Sequence, residues 1–253
     1  MGFYPPQRQF IPKYTLVVPQ SQVLKFDSRF ENGNLHKAIK LSENDYNLLL
    51  NYDTETLGHT QWYYFSVKPY KANHTVRFNI INLMKFQSLY SEGMKPAVLS
   101  KHKLQTFNKG WHRDGFNIGY YENSYKRKYV FPETPKNQQF FYTLSFSYTF
   151  DEVDDEVFFA YSYPYTYTDL QTYLSSLSSN PAFNNILKIN SFCKSLSGNS
   201  CYLLTITSKI DSYAGCKEEN FRIHNSSATR KYFKIKEGKE DLKVKTMNTN
   251  GKK

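Results

Sequence analysis

Across residues 142–150 the chain alternates without a break, with Leu144, Phe146, Tyr148 and Phe150 on one side and Thr143, Ser145, Ser147 and Thr149 on the other. A period of two is the pattern of a β-strand with one face in a core and one face polar. No helix can present it. Shorter runs of the same kind surround it. Residues 61–67 and 75–82 are rich in aromatic and β-branched residues, and in the second Val76, Phe78 and Ile80 alternate with Arg77 and Asn79. The link between them, residues 68–73, is turn-prone, so the pair predicts a β-hairpin. Further strands are expected at residues 118–121 and 157–163, and the acidic stretch 151–156 reads as a solvated turn. Several short alternating strands and no long helical period predict a mainly β fold, an antiparallel β-sandwich. The chain has 22 Tyr and 20 Phe, which supply bulk for a core despite a mean hydropathy of -0.65.

The pattern divides the chain. Residues 1–22 carry four prolines and read as an extended arm with a short strand at residues 14–18. Residues 23–163 form the sandwich. At Tyr163-Pro164 the character changes. Thr168 is the expected cap of a helix through Asp169, Leu170, Tyr173, Leu174 and Leu177, which ends at Ser178-Ser179-Asn180-Pro181. Strand, turn and strand follow at residues 192–196, 197–200 and 201–207. One helix and one hairpin cannot bury a domain-sized core, so residues 164–228 read as the unfinished start of an α/β unit. Residues 229–253 form a basic tail, with nine Lys or Arg against three Asp or Glu.

That tail holds six of the net +11 charges, so the basic balance is concentrated in a solvated end rather than spread as a binding surface. No run is long and apolar enough for a transmembrane helix, and the start lacks the pattern of a secretory signal. A cytosolic location is expected. The sequons at Asn73 and Asn225 are then chance matches, and the odd set Cys193, Cys201 and Cys216, without a C-x-x-C pair, fits a reducing compartment.

Catalytic motifs are missing. The histidines are His36, His59, His74, His102, His112 and His224, and none stands in an H-x-x-E or H-E-x-x-H arrangement able to hold zinc with a position open for water. The nearest approach, Glu55 with His59, reads as a surface pair, and the three cysteines read as buried or incidental thiols rather than nucleophiles. The glycines of residues 115–119 lack phosphate-cradle spacing. Basic and aromatic residues interleave from Tyr120 to Tyr129, a pattern that can stack bases or grip an acidic peptide; a strand edge is the plainer reading.

Five landmarks stand in order: Phe30-Glu31-Asn32-Gly33-Asn34-Leu35, Gln61-Trp62-Tyr63-Tyr64-Phe65, Phe78-Asn79-Ile80-Ile81-Asn82, the run from Phe159 to Tyr167, and Leu196-Ser197-Gly198-Asn199-Ser200 followed by Leu204-Thr205-Ile206-Thr207. In these the chain resembles the cytosolic carboxypeptidases from about residue 24 to 208. The resemblance implies an antiparallel sandwich of roughly nine strands placed before an α/β/α zinc peptidase domain. It also implies a family that trims glutamates from tubulin and other acidic proteins in the cytoplasm, at cilia, basal bodies and microtubules. There zinc polarises the scissile carbonyl, a glutamate serves as base, and basic residues hold the substrate carboxylates.

The family's His-Pro-Gly-Glu zinc motif has no counterpart here. His224 is followed by Asn225, Ser226 and Ser227 and takes no ligand role, so no catalytic, metal-binding or substrate-binding position is assigned. The expectation is the amino-terminal part of a zinc metallocarboxypeptidase, zinc belonging to the complete family enzyme, with this chain inactive by itself. The alternative is a stand-alone module that binds microtubules or a partner protein. Nucleic acid and membrane are not expected partners.

Overall fold

A computed structural model of the protein describes residues 23–54, 56, 58–127 and 139–208. The strands and helices in chain order are β1 (Lys25–Asp27), β2 (Lys37–Ser42), β3 (Asp45–Leu49), β4 (Tyr64–Lys68), β5 (His74–Leu83), β6 (Ala97–Ser100), α1 (Lys101–Phe107), β7 (His112–Arg113), β8 (Phe116–Lys126), β9 (Phe140–Phe150), β10 (Val157–Ala160), α2 (Tyr167–Ser178), β11 (Leu187–Lys194) and β12 (Ser200–Ile206). Ten strands form two five-stranded sheets, in the orders β1-β4-β10-β6-β7 and β2-β3-β5-β9-β8, and β11 pairs with β12 alone. The expected sandwich followed by a helix and a hairpin is present.

The core lies between the sheets and is aromatic. Phe78 of β5 is within 5.4 to 6.4 Å, centroid to centroid, of Phe26, Tyr46, Phe65, Phe146, Phe150 and Phe159. Phe65, Phe78, Phe146 and Phe159 are fully buried. Offset and edge-to-face pairs of this kind add to the gain from burying large apolar surfaces.

The predicted hairpin of residues 61–67 with 75–82 does not form. β4 pairs with β1 and β10, whereas β5 pairs with β3 and β9 in the other sheet. Two strands in a hairpin point their apolar faces the same way. Here Phe65 and Phe78 instead meet at 6.3 Å across the interior, so residues 69–73 carry the chain from one layer to the other. Because β4 leaves for the opposite sheet, β5 returns parallel to β3, and the sandwich is antiparallel except for this pair.

Two other expectations change. In β9, Thr143, Ser145 and Ser147 are buried along with the apolar face, because β5 and β8 flank the strand and their side chains cover it. Asn79 donates to Asp45 Oδ1 at 2.7 Å and accepts from Ser145 Oγ at 2.9 Å, which satisfies these polar groups within the sheet. The acidic stretch is also more than a solvated turn. Asp155 accepts from Ser100 Oγ at 2.6 Å and from the His102 N–H at 3.0 Å, fixing the start of α1. Glu156 accepts from Lys101 Nζ at 2.6 Å and from Ser66 Oγ at 3.0 Å.

The expected strand at residues 14–18, the arm, residues 209–228 and the basic tail lie outside the described residues. Among the described residues no helix is long and apolar enough to cross a membrane.

Candidate functional site

Three of the five landmark segments converge at one place, where the sandwich meets α2. The loop of residues 28–35 begins beside β1, where the Arg29 side chain and amide both bond to Asp27 and pull its carboxyl down to about 2. Asn32 adopts a left-handed backbone with φ 62°. Gly33 is required by space: a β-carbon there would overlap the carbonyl oxygen of Ser28. Asn34 then ties the loop into both sheets. Its Nδ2 donates to the Trp62 carbonyl at 2.8 Å, its Oδ1 accepts from the Asn51 N–H at 2.9 Å, and its own N–H donates to the Tyr64 carbonyl at 2.8 Å.

From this loop two residues reach the start of α2. The Thr168 N–H donates to Glu31 Oε1 at 2.9 Å, and Asn32 Nδ2 donates to the Tyr165 carbonyl at 3.0 Å. The Trp62 indole donates back to the Asn32 carbonyl at 2.7 Å. The helix is closed by a capping box: the Asp169 N–H donates to Thr166 Oγ1 at 3.0 Å, and the Thr166 N–H donates to Asp169 Oδ2 at 2.8 Å. The cap is therefore Thr166, two residues before the expected Thr168, whose N–H is used by Glu31. The Thr168 N–H holds the Glu31 carboxyl below the usual carboxylate range, and the Thr166 hydroxyl, followed by the Thr166 N–H, does the same for Asp169.

Beside the clasp, the outer face of one sheet carries half-buried rings. Tyr64 lies 4.7 Å from Phe30, 5.8 Å from Trp111, 6.1 Å from Phe158 and 6.3 Å from Trp62. Lys101 Nζ sits 5.4 Å over the Phe158 ring. Burial pushes the Tyr64 hydroxyl up, and the nearby Asp169 charge adds to it. Arg113 donates to the carbonyls of Lys95 and Tyr161 at 2.7 and 2.8 Å and covers the Tyr163 ring at 5.6 Å, so the segment leading to α2 is held from this side too.

In the same first turn, α2 meets the hairpin. Tyr167 accepts from the Ser200 N–H at 3.0 Å and donates to its carbonyl at 3.1 Å, and its ring stacks on Tyr202.

Other sequence candidates are scattered. His36, His59 and His102 are exposed, His74 is buried, and His112 is half-buried, while Glu55, Cys216 and His224 lie outside the described residues. Among the described residues no group of three or more His, Cys, Asp or Glu is placed to hold a metal ion. Most of the segment from Tyr120 is spent on the edge strand β8. Tyr120 stacks on Tyr142 at 5.7 Å, Asn123 Nδ2 donates to the Ile81 carbonyl at 2.8 Å, and Arg127 Nε donates to the Phe140 carbonyl at 3.0 Å; Tyr121 stays exposed, and Lys128 and Tyr129 are outside the described residues. Gly115, at φ 104°, directly precedes β8. Cys193 is exposed and Cys201 half-buried, so of the expected buried or incidental thiols neither is fully buried.

Residues 26–162, more than half of the chain, match the family described as cytosolic carboxypeptidase N-terminal domain. Human cytosolic carboxypeptidase 2 is 45% identical over 193 residues, which is 76% of this chain and 20% of the relative. Human cytosolic carboxypeptidase 1 is 40% identical over 203 residues, 79% of this chain and 16% of the relative. Mouse cytosolic carboxypeptidase 3 is 40% identical over 187 residues, 74% of this chain and 18% of the relative. The chain thus spans about a fifth of the length of the curated relatives it matches. Among solved structures, a metallo-carboxypeptidase from Burkholderia cenocepacia is similar with a TM-score of 0.48 at 14% identity, over 73% of this chain and 40% of the other. With its sandwich, its ordered landmark segments and these relatives, the chain belongs to the cytosolic carboxypeptidase family and carries that family's amino-terminal domain.

Proposed function

We propose that this chain serves in a zinc metallocarboxypeptidase that removes glutamates from tubulin and other acidic proteins in the cytoplasm and at cilia and microtubules. Its own residues supply scaffold and interface rather than the hydrolytic centre, so the chain alone is inactive. The observation that carries this reading is the clasp of Glu31 and Asn32 on the start of α2, which ties the sandwich to the segment that follows it. A domain that must hold a peptidase unit in a fixed pose needs such a junction. Zinc has no fitting ligand set among the described residues, and no hydrolytic step is assigned to them.

The test compares this chain with a full-length protein containing it, each supplied with zinc and polyglutamylated tubulin, with free glutamate measured by mass spectrometry. Release by the full-length protein alone supports the reading, and release by this chain overturns it. If neither releases glutamate and this chain still co-sediments with microtubules in a salt-sensitive way, the reading gives way to a stand-alone binding module.

A further inference from the structure

β11 and β12 hold two cysteines directly opposite each other. The register runs without a break from Leu187 opposite Ile206 to Ser191 opposite Tyr202, shifts by one residue, and then sets Cys193 opposite Cys201 and Lys194 opposite Ser200. The shift is a bulge at Phe192. It decides the pairing, because without it Cys193 would face Ser200. Directly opposed residues of an antiparallel pair have Cα atoms about 4.5 or 5.5 Å apart, and both spacings fall inside the roughly 4.4–6.8 Å span of disulfides.

We propose that Cys193 and Cys201 form a reversible cross-strand disulfide that staples the β11–β12 hairpin under oxidising stress. Both sulfurs are reduced in the structure, and both residues are accessible, Cys193 exposed and Cys201 half-buried. The neighbouring Cys201 thiol, with some burial, raises the Cys193 thiol above its ordinary value. Few thiolates are present at neutral pH, so oxidation is slow and calls for a raised oxidant level.

The oxidant is a peroxide. One cysteine, as thiolate, attacks an oxygen of hydrogen peroxide, the O–O bond breaks, and a sulfenic acid forms with release of water once the leaving hydroxide takes up a proton. The facing thiol then attacks the sulfenic sulfur, the S–S bond forms, and the hydroxyl leaves as a second water. In sum, two thiols and one peroxide give one disulfide and two waters, sulfur being oxidised and oxygen reduced.

The staple has a structural target. A two-stranded hairpin is marginal in isolation, and here its neighbour is α2, met through Tyr167, Tyr202 and Gln171. Tyr202 is next to Cys201 in sequence, so the crosslink fixes the strand that α2 packs against.

The test uses the whole chain as Cys216→Ser, so that pairing with the third cysteine cannot confuse the readout, alongside the unaltered protein. After peroxide treatment, intact mass should fall by two hydrogens per chain, and a digest should yield a crosslinked peptide holding Cys193 and Cys201, lost on adding dithiothreitol. Amide exchange across residues 187–206 should slow about tenfold in the oxidised form. The variants Cys193→Ser and Cys201→Ser should each show neither change while keeping the exchange pattern of the reduced sandwich. Sulfinic acids, intermolecular dimers or a Cys216 disulfide in place of the internal crosslink would overturn the proposal, as would a crosslink that leaves hairpin exchange unmoved.

Discussion

Glu31 and Thr168 are 137 residues apart in sequence and are joined by one hydrogen bond of 2.9 Å, from the Thr168 amide to the Glu31 carboxylate. The bond places a negative charge at the first turn of α2, where free N–H groups and the helix dipole favour it. Replacing Glu31 with Gln removes the charge and keeps the shape. Amide exchange in the first turn of α2 is expected to rise in the variant while the sandwich stays unchanged. The Glu31 carboxyl is held below its ordinary value, so its contribution is full above that value and fades as the pH falls through the lowered one. Lowering the pH in the unaltered protein should therefore also raise exchange in this turn, with protonation of Asp169 in the capping box adding to the effect.

The Phe78 and Phe159 rings meet at 5.4 Å between the two sheets, both fully buried. Phe78→Ala leaves a cavity among six aromatic neighbours and should cost about 3–5 kcal/mol in urea unfolding. Tyr121→Ala, on the exposed edge strand, should stay within about 0.5 kcal/mol. A Phe78→Ala loss no larger than the Tyr121→Ala loss would place the core elsewhere.

Gly33→Ala tests the loop. The added methyl has no room against the Ser28 carbonyl, so the loop must shift, at a cost of about 1–3 kcal/mol. Trp62 bonds to the neighbouring Asn32 carbonyl, and its emission should move to longer wavelength as that contact loosens.

His74 is buried at the start of β5, its Nε2 bonded to Asn44 and its Nδ1 without a partner. Burial lowers its proton affinity, the Lys71 and Lys40 charges lower it further, and Glu43 opposes them. The unfolded chain therefore takes up a proton at a higher pH than the folded one. Stability should be full above the ordinary histidine value and should fall as the pH drops through the lowered one. Urea unfolding of the unaltered protein and of His74→Gln across this range should give curves that diverge on the acid side, the variant being the flatter.

β1, β2, β3, β6 and β7 were not read from the sequence, whereas β4, β5, β8, β9 and β10 are legible because each carries its own apolar run or period, and residues 142–150 announce β9 unaided. Their pairing is not legible in the same way. β4 and β5 each have an apolar face, and nothing within either run says that Phe65 and Phe78 belong to opposite layers. The helix cap was only partly readable: Thr166 has Asp169 three residues on, the capping-box spacing, but Thr168 has Gln171 at the same distance, so spacing alone does not choose between them. The start of α1 was not readable, because its partner Asp155 lies 55 residues from Ser100. At the clasp, the landmark segments named the residues, but the Glu31 contact depends on a chain return that no local pattern records. The facing of Cys193 and Cys201 was hidden by a single-residue bulge.

The interleaving of the two layers also sets a timetable for folding. β5 emerges during synthesis well before β9, and β4 well before β10, so the aromatic face of Phe78 waits for partners that are among the last strands of the sandwich to appear. The layer of β5 has all its strands once β9 has appeared, and the layer of β4 only after β10. A nascent chain halted before β9 would present unsheltered rings and open strand edges, and the last gap in the sandwich is filled only when residue 160 has left the ribosome.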